Sequence, residues 1–140
     1  MITCTRKLEF DAAHRVCQHE HKCRFLHGHR YVVEATFSAK DLDSLGRVID
    51  FGVVKERLGA WIEEHWDHSV ILSHEDKELG GEIERICEQK VYYVKGNPTA
   101  EHLALYLFHE ICPKVFSEKH VQCTHIRLYE TPNCWADAKA

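Results

Sequence analysis

Residues 23–37 of this chain are Cys-Arg-Phe-Leu-His-Gly-His-Arg-Tyr-Val-Val-Glu-Ala-Thr-Phe, a run in which a cysteine and a His-x-His pair lead into alternating apolar residues. Side chains two positions apart on a β-strand share a face. If this run is extended, His27 and His29 therefore share a face with Tyr31, Val33, Ala35 and Phe37. The opposite face carries Glu34, Thr36 and Ser38. The pattern predicts a strand over residues 27–39 that presents two imidazoles to the protected side of a sheet.

A similar alternation begins near the N-terminus, where apolar Ile2, Cys4, Leu8 and Phe10 are separated by polar residues. This predicts a first strand that ends near His14. If the two strands pair locally, His14 lies beside the start of the second strand, close to His27 and His29. Three imidazoles and one open coordination position are typical of a catalytic zinc site.

The remainder of the chain predicts helices and two more strands. Helical spacing over residues 51–66 indicates an amphipathic helix whose buried face contains Val54, Leu58, Trp61 and His65. Residues 75–89 predict a short charged helix, and residues 91–94 predict a short strand. Thr99 is the predicted N-cap of a further helix, which buries Ala104, Leu107, Phe108 and Ile111. Residues 121–130 predict the last strand, with Glu130 on the face of Ile126 and Leu128.

These elements predict one α+β domain over residues 1–140, an antiparallel sheet with helices on one face. The net charge of −4 argues against a surface for nucleic acid or anionic membrane. No apolar run approaches the roughly 20 residues that span a bilayer, and no signal-peptide core is present, so we expect a cytoplasmic protein. The cysteines contain no Cys-x-x-Cys pair, and no disulfide framework is expected. We expect buried positions for Cys4, Cys87, Cys112, Cys123 and Cys134.

Each candidate site residue has an ordinary structural interpretation beside the functional one. A lone His-x-His pair is often no ligand at all. A zinc finger with ligands among Cys17, His19, His21, Cys23, His27 and His29 is an alternative, but the spacing of these residues is unsuitable. Cys23 is either a spare thiol or, beside a metal, a thiolate that serves as base or nucleophile. Asp67 and His68 are either a pair on the surface or a functional pair, in which Asp67 orients and charges the imidazole of His68 for proton transfer. Glu130 is either solvated or accepts two N–H bonds from a guanidine-like heterocycle edge.

Six motifs, taken in order over nearly the whole chain, resemble the 6-pyruvoyl-tetrahydropterin synthase family. They are Phe10-Asp11-Ala12-Ala13-His14-Arg15, Cys23 to His29, Val48-Ile49-Asp50-Phe51, Asp67-His68, Asn97-Pro98-Thr99-Ala100-Glu101 and Glu130-Thr131. The Cys-x-x-x-His-Gly-His spacing is similar to that of the branch of bacterial 6-carboxytetrahydropterin synthases in the queuosine (7-deazaguanine) pathway. The pyruvoyl enzymes place the cysteine further upstream.

The resemblance implies a T-fold (tunnelling fold), a four-stranded antiparallel sheet with two helices on one face. It implies homo-oligomers, in which trimers form β-barrels and stack as hexamers, with active sites between subunits. It also implies that His14, His27 and His29 bind Zn²⁺, that Cys23 is the general base and that Asp67 and His68 are its proton relay. Glu130 would anchor the pterin ring and share in proton transfer, with Thr99 nearby.

The implied activity is that of a zinc-dependent lyase that converts 7,8-dihydroneopterin triphosphate to 6-carboxytetrahydropterin, acetaldehyde and triphosphate. Because the protein is acidic, the triphosphate needs a local basic patch, and the candidates near the motif are Arg15, Lys22 and Arg24. One alternative is the pyruvoyl reaction, which eliminates triphosphate and keeps the side chain. Another is a non-catalytic zinc or pterin-binding module on the same fold. Residues 73–96 form a longer, more charged segment than in the shortest family members.

Overall fold

The computed structural model describes residues 1–18 and 20–140. The described residues form one six-stranded sheet, whose strands are β1 Thr3–His14, β2 His27–Ala39, β3 Ser69–Ser73, β4 Val91–Val94, β5 Val121–Thr131 and β6 Cys134–Lys139. The strand order is β4-β3-β1-β2-β5-β6. Strands β1, β2, β5 and β6 are antiparallel, and β3 and β4 extend the sheet in parallel beyond β1. Of the predicted strands, residues 91–94 (β4) thus lie in the parallel part.

Three helical regions accompany the sheet. Helix α1 covers residues 51–65 and consists of Phe51–Val54, a π-helical turn Lys55–Gly59 and Ala60–His65. Helix α2 is Lys77–Cys87. Helix α3 covers residues 100–115 and consists of Ala100–Tyr106, a π-helical turn Leu107–Ile111 and Cys112–Val115. Short 3₁₀ turns lie at Lys22–Arg24 and His74–Asp76.

Helices α1 and α3 pack on one face of the sheet and form the main core. The strands contribute Phe10, Tyr31, Val33, Phe37, Ile126 and Leu128 to this core. The helices contribute Val54, Leu58, Leu103, Leu107 and Ile111. Helix α2 packs through Ile83 against Val70 and Leu72 of β3, whereas Ile71 between them belongs to the main core. Because neighbouring strand residues point to opposite faces, α2 lies on the other side of the sheet. The α+β T-fold class is confirmed, with one helix and two strands more than the family resemblance implies, and the additional helix is the one predicted over residues 75–89.

The buried face of α1 differs from the prediction. The fully buried positions are Val54, Leu58, Ile62 and Trp66, spaced four residues apart, whereas Trp61 and His65 are only partly buried. An ideal α-helix has 3.6 residues per turn, and the π-helical turn within α1 is wider than that. This widening keeps every fourth residue on the core face over the length of the helix.

The register between β1 and β2 places the histidines. Phe10 lies opposite Tyr31, Ala12 opposite His29 and His14 opposite His27. The rings of Phe10 and Tyr31 stack with their centroids 5.0 Å apart, just inside the three histidines. The core-facing side chains at the end of this ladder are therefore imidazoles rather than hydrocarbon.

The outer edge of β1 is mostly open. β1 pairs with β3 only from Ala12 to His14. The backbone N–H of Asp11 donates to Asp67 and its carbonyl accepts from the N–H of His68, so the backbone groups of Asp11 point away from β2. By the two-residue period of a strand, those of Thr5, Lys7 and Glu9 also point to this side. Within the described chain no strand pairs with them there.

Two strands and two cysteines depart from the sequence analysis. Strand β3 is buried at every position and shows no alternation, and β6 follows β5 after a two-residue turn at Pro132 and Asn133. Cys87 and Cys134 are exposed, contrary to expectation, because Cys87 ends α2 and Cys134 begins the edge strand β6. Among the described helices, none is both long enough and apolar enough to cross a membrane.

Candidate metal centre

Three imidazoles converge at the end of the β1–β2 ladder. The ring centroids of His14, His27 and His29 are 4.7, 4.8 and 5.1 Å apart. With Glu130 they form a group in which one potential ligand atom of each residue lies within 4.8 Å of every other. His14 is buried, and the other three are partly buried. An ion held by the three imidazoles would join β1 to β2, with the Glu130 carboxylate of β5 beside it.

Backbone carbonyls fix the orientation of two of the rings. His14 Nδ1 lies 2.7 Å from the carbonyl oxygen of Pro98, and His27 Nδ1 lies 2.6 Å from that of Phe25. A carbonyl only accepts, so each Nδ1 carries the proton and donates it. Each Nε2 is then left with its lone pair free. Metal-binding histidines in general are oriented in this way.

Buried nitrogens without partners show that the group suits a cation. Among the described residues, Nε2 of His14 and Nε2 of His29 are buried and form no hydrogen bond. A buried polar atom left in this state costs free energy, about 1–3 kcal/mol each. Imidazole nitrogens are ligands that Zn²⁺ prefers, and a metal would satisfy both atoms. The donor set therefore fits a zinc ion, and it also fits other metals that imidazoles bind.

Glu130 approaches the imidazoles from β5. Its Oε1 lies 3.0 Å from His29 Nε2 and 3.6 Å from His14 Nε2. It lies on the core face with Ile126 and Leu128, between the paired residues Tyr129 and Thr131, where the ladder to β6 is irregular. Such irregularities commonly re-aim a side chain. The pKa of Glu130 is lowered, chiefly by its interaction with His14, so the carboxylate stays ionised beside the group.

Burial is the main cause of the pKa shifts of His29 and Tyr31. The pKa of His29 is lowered, chiefly because burial disfavours the imidazolium, although the carboxylate of Glu130 acts in the opposite sense. A neutral imidazole is the form that ligates a metal. Burial also raises the pKa of Tyr31, whose ring lies 5.9 Å from that of His14 and 5.6 Å from that of His29.

Cys23 lies in the segment that connects β1 to β2. It is part of the 3₁₀ turn Lys22–Arg24 and is partly buried. Its carbonyl accepts a hydrogen bond of 2.8 Å from the N–H of Val16. The described ligand group contains His27 and His29 but neither Cys17 nor Cys23. This arrangement disfavours the zinc-finger alternative, of which His19 lies outside the described residues.

Asp67 and His68 form a second polar group near the start of β3. Asp67 Oδ2 lies 3.0 Å from His68 Nδ1, and Asp67 Oδ1 accepts a 3.0 Å bond from the N–H of Asp11. Burial opposes ionisation of Asp67, but these hydrogen bonds outweigh it and lower its pKa. His68 adopts a left-handed backbone conformation, φ 58°, and its side chain is 77% exposed. Its Nε2 is therefore accessible from solvent.

The two polar groups lie on opposite faces of β1. The side chain of Asp11, whose carboxylate lies with Asp67 and His68, points away from the core because Phe10 and Ala12 on either side of it belong to the core. An open cavity next to these residues is lined by Asp11, Ala13, Arg30 and His68, and also by Ala12 and His29. The imidazole group lies on the core face. Within one chain, the Asp67-His68 pair does not join the imidazoles.

The remaining predicted residues lie around the imidazole group. Thr99 is the N-cap of α3, as predicted, and its Oγ1 accepts from the N–H of His102 at 3.2 Å. Arg24 is exposed and its guanidinium lies 4.5 Å from the ring centroid of Phe25. Arg15, in contrast, is engaged by the buried carboxylate of Asp76. That pairing removes Arg15 from the proposed basic patch and leaves Lys22 and Arg24, both exposed.

Sequence reasoning missed the groups that support these side chains. The carbonyls of Pro98 and Phe25 have no side-chain signature, and Asp76 lies in a charged stretch without a helical or strand period. Of these groups, only Pro98 lies in a motif that the sequence analysis singled out, because it precedes the predicted N-cap Thr99.

Comparison with known proteins gives a family match over most of the chain. A model of the 6-pyruvoyl tetrahydropterin synthase family matches residues 3–140. A protein of Rickettsia bellii named 6-carboxy-5,6,7,8-tetrahydropterin synthase is 53% identical over 98% of this chain and 99% of its own length. A protein of Aquifex aeolicus with the same name is 32% identical and covers 96% of both chains. The matched range, residues 3–140, spans every motif described above.

Solved structures show the same fold at lower identity. An uncharacterised protein from Wolinella succinogenes superimposes with a TM-score of 0.81 at 21% identity, covering 99% of this chain and 97% of the other. The 6-pyruvoyl tetrahydropterin synthase of Caenorhabditis elegans superimposes with a TM-score of 0.71 at 22% identity, covering 99% and 95%. At these identities the likeness concerns the fold alone.

Proposed function

This chain belongs to the 6-pyruvoyl tetrahydropterin synthase family, and on that basis we propose that it is a zinc-dependent 6-carboxytetrahydropterin synthase. The reaction is the conversion of 7,8-dihydroneopterin triphosphate and water to 6-carboxy-5,6,7,8-tetrahydropterin, acetaldehyde and triphosphate, a lyase step of queuosine biosynthesis. The observation that carries the proposal is the convergence of His14, His27 and His29 beside the Glu130 carboxylate, with buried Nε2 atoms of His14 and His29 that form no hydrogen bond. The names of the relatives support the carboxy product.

His14, His27 and His29 are the residues that would hold the zinc. When bound, zinc supplies Lewis-acid polarisation of the substrate's side-chain hydroxyls, which acidifies the neighbouring C–H. The chain contributes to this by favouring the neutral form of His29 and by orienting the other two rings. Burial lowers the pKa of His29, and the carbonyls of Pro98 and Phe25 hold the other two rings.

Glu130 is the proposed anchor for the pterin ring. An ionised carboxylate accepts two N–H bonds from the guanidine-like edge of a pterin, and such charge-assisted pairs are stronger than neutral ones. Thr99 lies next to Pro98, whose carbonyl contacts His14, so the start of α3 borders the same space. Arg24 is the proposed contact for the triphosphate, since its guanidinium is exposed near Cys23.

Proton transfer is assigned to Cys23, with Asp67 and His68 as its relay. Asp67 accepts from His68 Nδ1–H, which leaves Nε2 of His68 as the atom that exchanges a proton with its partner. His68 groups with Asp67 and Asp11, and the side chain of Asp11 points away from the core face that carries the imidazoles. We therefore assign the relay to a neighbouring subunit, whose His68 approaches Cys23 across the interface.

Such an assembly is supported by the open edges of the sheet. The part of the outer edge of β1 that precedes Ala12 offers unpaired backbone groups within the described chain, and so does the edge strand β6. Open edges of this kind add strands from another chain. We propose that copies of this single domain, residues 1–140, join β1 to β6 and close into a barrel as a trimer or a hexamer.

The function is tested by product analysis. Purified zinc-loaded protein is incubated with 7,8-dihydroneopterin triphosphate, and the products are identified by mass spectrometry together with assays for acetaldehyde and triphosphate. All three proposed products support the assignment. Triphosphate together with a product that keeps the three-carbon side chain would establish the pyruvoyl reaction. Absence of turnover would favour the alternative of a non-catalytic zinc or pterin-binding module.

A pair of cysteine variants tests the catalytic role. Cys23→Ala is expected to keep zinc and lose turnover, because the ligand group lacks a thiol. Cys87→Ala, an exposed cysteine at the end of α2, is the matched control and is expected to keep both. Full activity of Cys23→Ala would contradict the assignment of the base.

A further inference from the structure

A buried carboxylate that the proposed mechanism does not use lies next to the segment that carries Cys23. Asp76 ends the 3₁₀ turn His74–Asp76, between β3 and α2, and is 6% exposed. Charged side chains are rarely buried without partners, because desolvation of the charge is costly. The partners of Asp76 therefore indicate what this carboxylate stabilises.

All of the side-chain hydrogen bonds described for Asp76 come from the residues just after β1. Arg15 donates from Nε to Oδ2 at 2.7 Å and from a terminal nitrogen to Oδ1. The thiol of Cys17 donates to Oδ2 at 3.3 Å. The guanidinium of Arg15 lowers the pKa of Asp76, so the carboxylate stays ionised. Paired N–H bonds from one guanidinium fix both position and orientation.

The same residues are held from a second direction by Asn97. Its side-chain Oδ1 accepts from the N–H of Cys17 at 3.0 Å, and its Nδ2 donates to the carbonyl of Cys17 at 3.3 Å. Between these anchors, the N–H of Val16 donates to the carbonyl of Cys23 at 2.8 Å. Residues 15–17 thus form a clamped strip, with Asp76 and Asn97 as its clamps and Cys23 attached to its middle.

The metal ligands do not depend on the clamp in the same way. His27 and His29 belong to β2, and His14 is paired in the β1–β2 ladder, so the sheet fixes their positions. Cys23 lies outside the strands, in a 3₁₀ turn of three residues. A loosened strip would therefore move Cys23 relative to the imidazoles without dispersing them.

We infer that Asp76 is a positioning residue, which holds Cys23 at the correct distance from the imidazole group through Arg15, Cys17 and Val16. The inference rests on the proposed function of Cys23 as the base. Displacement of a reacting group by about 1 Å can lower a rate by about 100-fold. The loss from removing Asp76 should appear in kcat, while zinc content and KM change little.

The test compares Asp76→Asn with Glu75→Gln, the exposed acidic neighbour in the same turn. For each variant, zinc content, kcat and KM are measured. The alkylation rate of Cys23 by iodoacetamide is followed without substrate by peptide-resolved mass spectrometry. For Asp76→Asn we expect full zinc content, KM within about 3-fold, kcat lowered about 10- to 100-fold and a Cys23 alkylation rate changed at least about 3-fold. Glu75→Gln is expected to match the wild type.

A second variant covers the case in which Asp76→Asn does not fold. Arg15→Lys keeps the positive charge but loses the paired geometry of the guanidinium. It is expected to shift kcat and the Cys23 alkylation rate in the same direction, by a smaller factor. A wild-type alkylation rate in the folded variants would overturn the inference, and so would a kcat within 2-fold of wild type.

The alkylation measurement separates this inference from the proposed function. If Cys23→Ala keeps full turnover, the role of Cys23 as base is wrong. An altered alkylation rate in Asp76→Asn would still show that Asp76 fixes Cys23. If Cys23→Ala is inactive and Asp76→Asn matches the wild type in both measurements, the proposed function stands and Asp76 has no positioning role.

Discussion

Glu130 Oε1 lies 3.0 Å from His29 Nε2, a nitrogen that forms no hydrogen bond within the described chain. The lone pair of that nitrogen is the one a metal would use. With the metal bound, the nitrogen is no longer available to the carboxylate, and Glu130 is free to turn toward a ligand. We therefore expect Glu130 to contribute to substrate binding rather than to metal retention.

A glutamine at this position tests that separation. Glu130→Gln keeps the size of the side chain but replaces one of two acceptor oxygens by an N–H₂ group. We expect normal zinc content and a KM raised at least about 10-fold, because one charge-assisted hydrogen bond contributes about 1.5–3 kcal/mol. Steady-state kinetics and elemental analysis check both. Glu78→Gln on exposed α2 is the control, and a normal KM in Glu130→Gln would exclude the anchoring role.

Removal of one imidazole should abolish metal binding. His27→Ala leaves two histidines, and we expect zinc content to fall from about one per chain to a small fraction of that. A bound metal stabilises the folded state by mass action, so a chelator should lower the Tm of the wild type and leave that of His27→Ala unchanged. His120→Ala, at an exposed position outside the group, is the control. Full zinc content in His27→Ala would exclude His27 as a ligand.

Two neighbouring glycines in α2 should respond oppositely to alanine. A Cβ at Gly80 would lie 2.0 Å from the hydroxyl of Tyr93, whereas a Cβ at Gly81 would meet nothing within 4 Å. We expect Gly80→Ala to lower the free energy of unfolding by about 1–3 kcal/mol, as overpacking does. Gly81→Ala should raise it by up to about 1 kcal/mol, from helix propensity.

Denaturant unfolding of both glycine variants measures the difference. Adding Tyr93→Phe to Gly80→Ala removes the contacting oxygen and should recover part of the loss. Equal changes in the free energy of unfolding for the two glycine variants would contradict the close contact between Gly80 of α2 and Tyr93 of β4.

Asp137 should make stability depend on pH in the acid range. It accepts from Arg127 at 2.7 and 3.1 Å and lies 2.6 Å from His125 Nε2, and the Arg127 guanidinium lowers its pKa from 3.8 to about 2. A folded-state pKa below the unfolded value stabilises the fold above pH 4. That contribution declines as the pH falls from about 4 to about 2. Because the site is partly exposed, we expect about 1 kcal/mol from it at pH 7.

Asp137→Asn measures that contribution. Urea unfolding at pH 7 should show the variant less stable than the wild type, and the gap should narrow at pH 3. Asp41→Asn, in the exposed turn after β2, should show no such gap. A gap that stays constant between pH 7 and pH 3 would rule out ionisation of Asp137 as its cause.

The local sequence pattern was sufficient to predict the two strands that carry the imidazoles. Alternation in β1 and β2 predicts both strands and their pairing, and the N-cap at Thr99 begins α3 as expected. The resemblance to the family supplied the T-fold, which periodicity alone did not reach. Strand β3 was missed because a short run buried on both faces has no period of two. The face of α1 was misassigned because a π-helical turn changes its period.

The relations between distant segments were not predictable from local pattern. Arg15 was expected to face a phosphate, but it is paired with Asp76, 61 positions away. Nothing in the sequence near Arg15 marks that partner. The same holds for Pro98, whose backbone carbonyl orients His14 across 84 positions. Tertiary hydrogen bonds of this kind depend on the packing of several elements at once.

The register of the β1–β2 ladder has a consequence for how chain length can vary among relatives. His14 lies opposite His27, and inserting or deleting one residue within either strand would turn an imidazole to the opposite face. Such length changes within β1 or β2 are therefore incompatible with metal binding. Between the strands, the bond from Val16 to Cys23 closes the connecting segment near its base. Insertions among relatives should therefore concentrate between Val16 and Cys23.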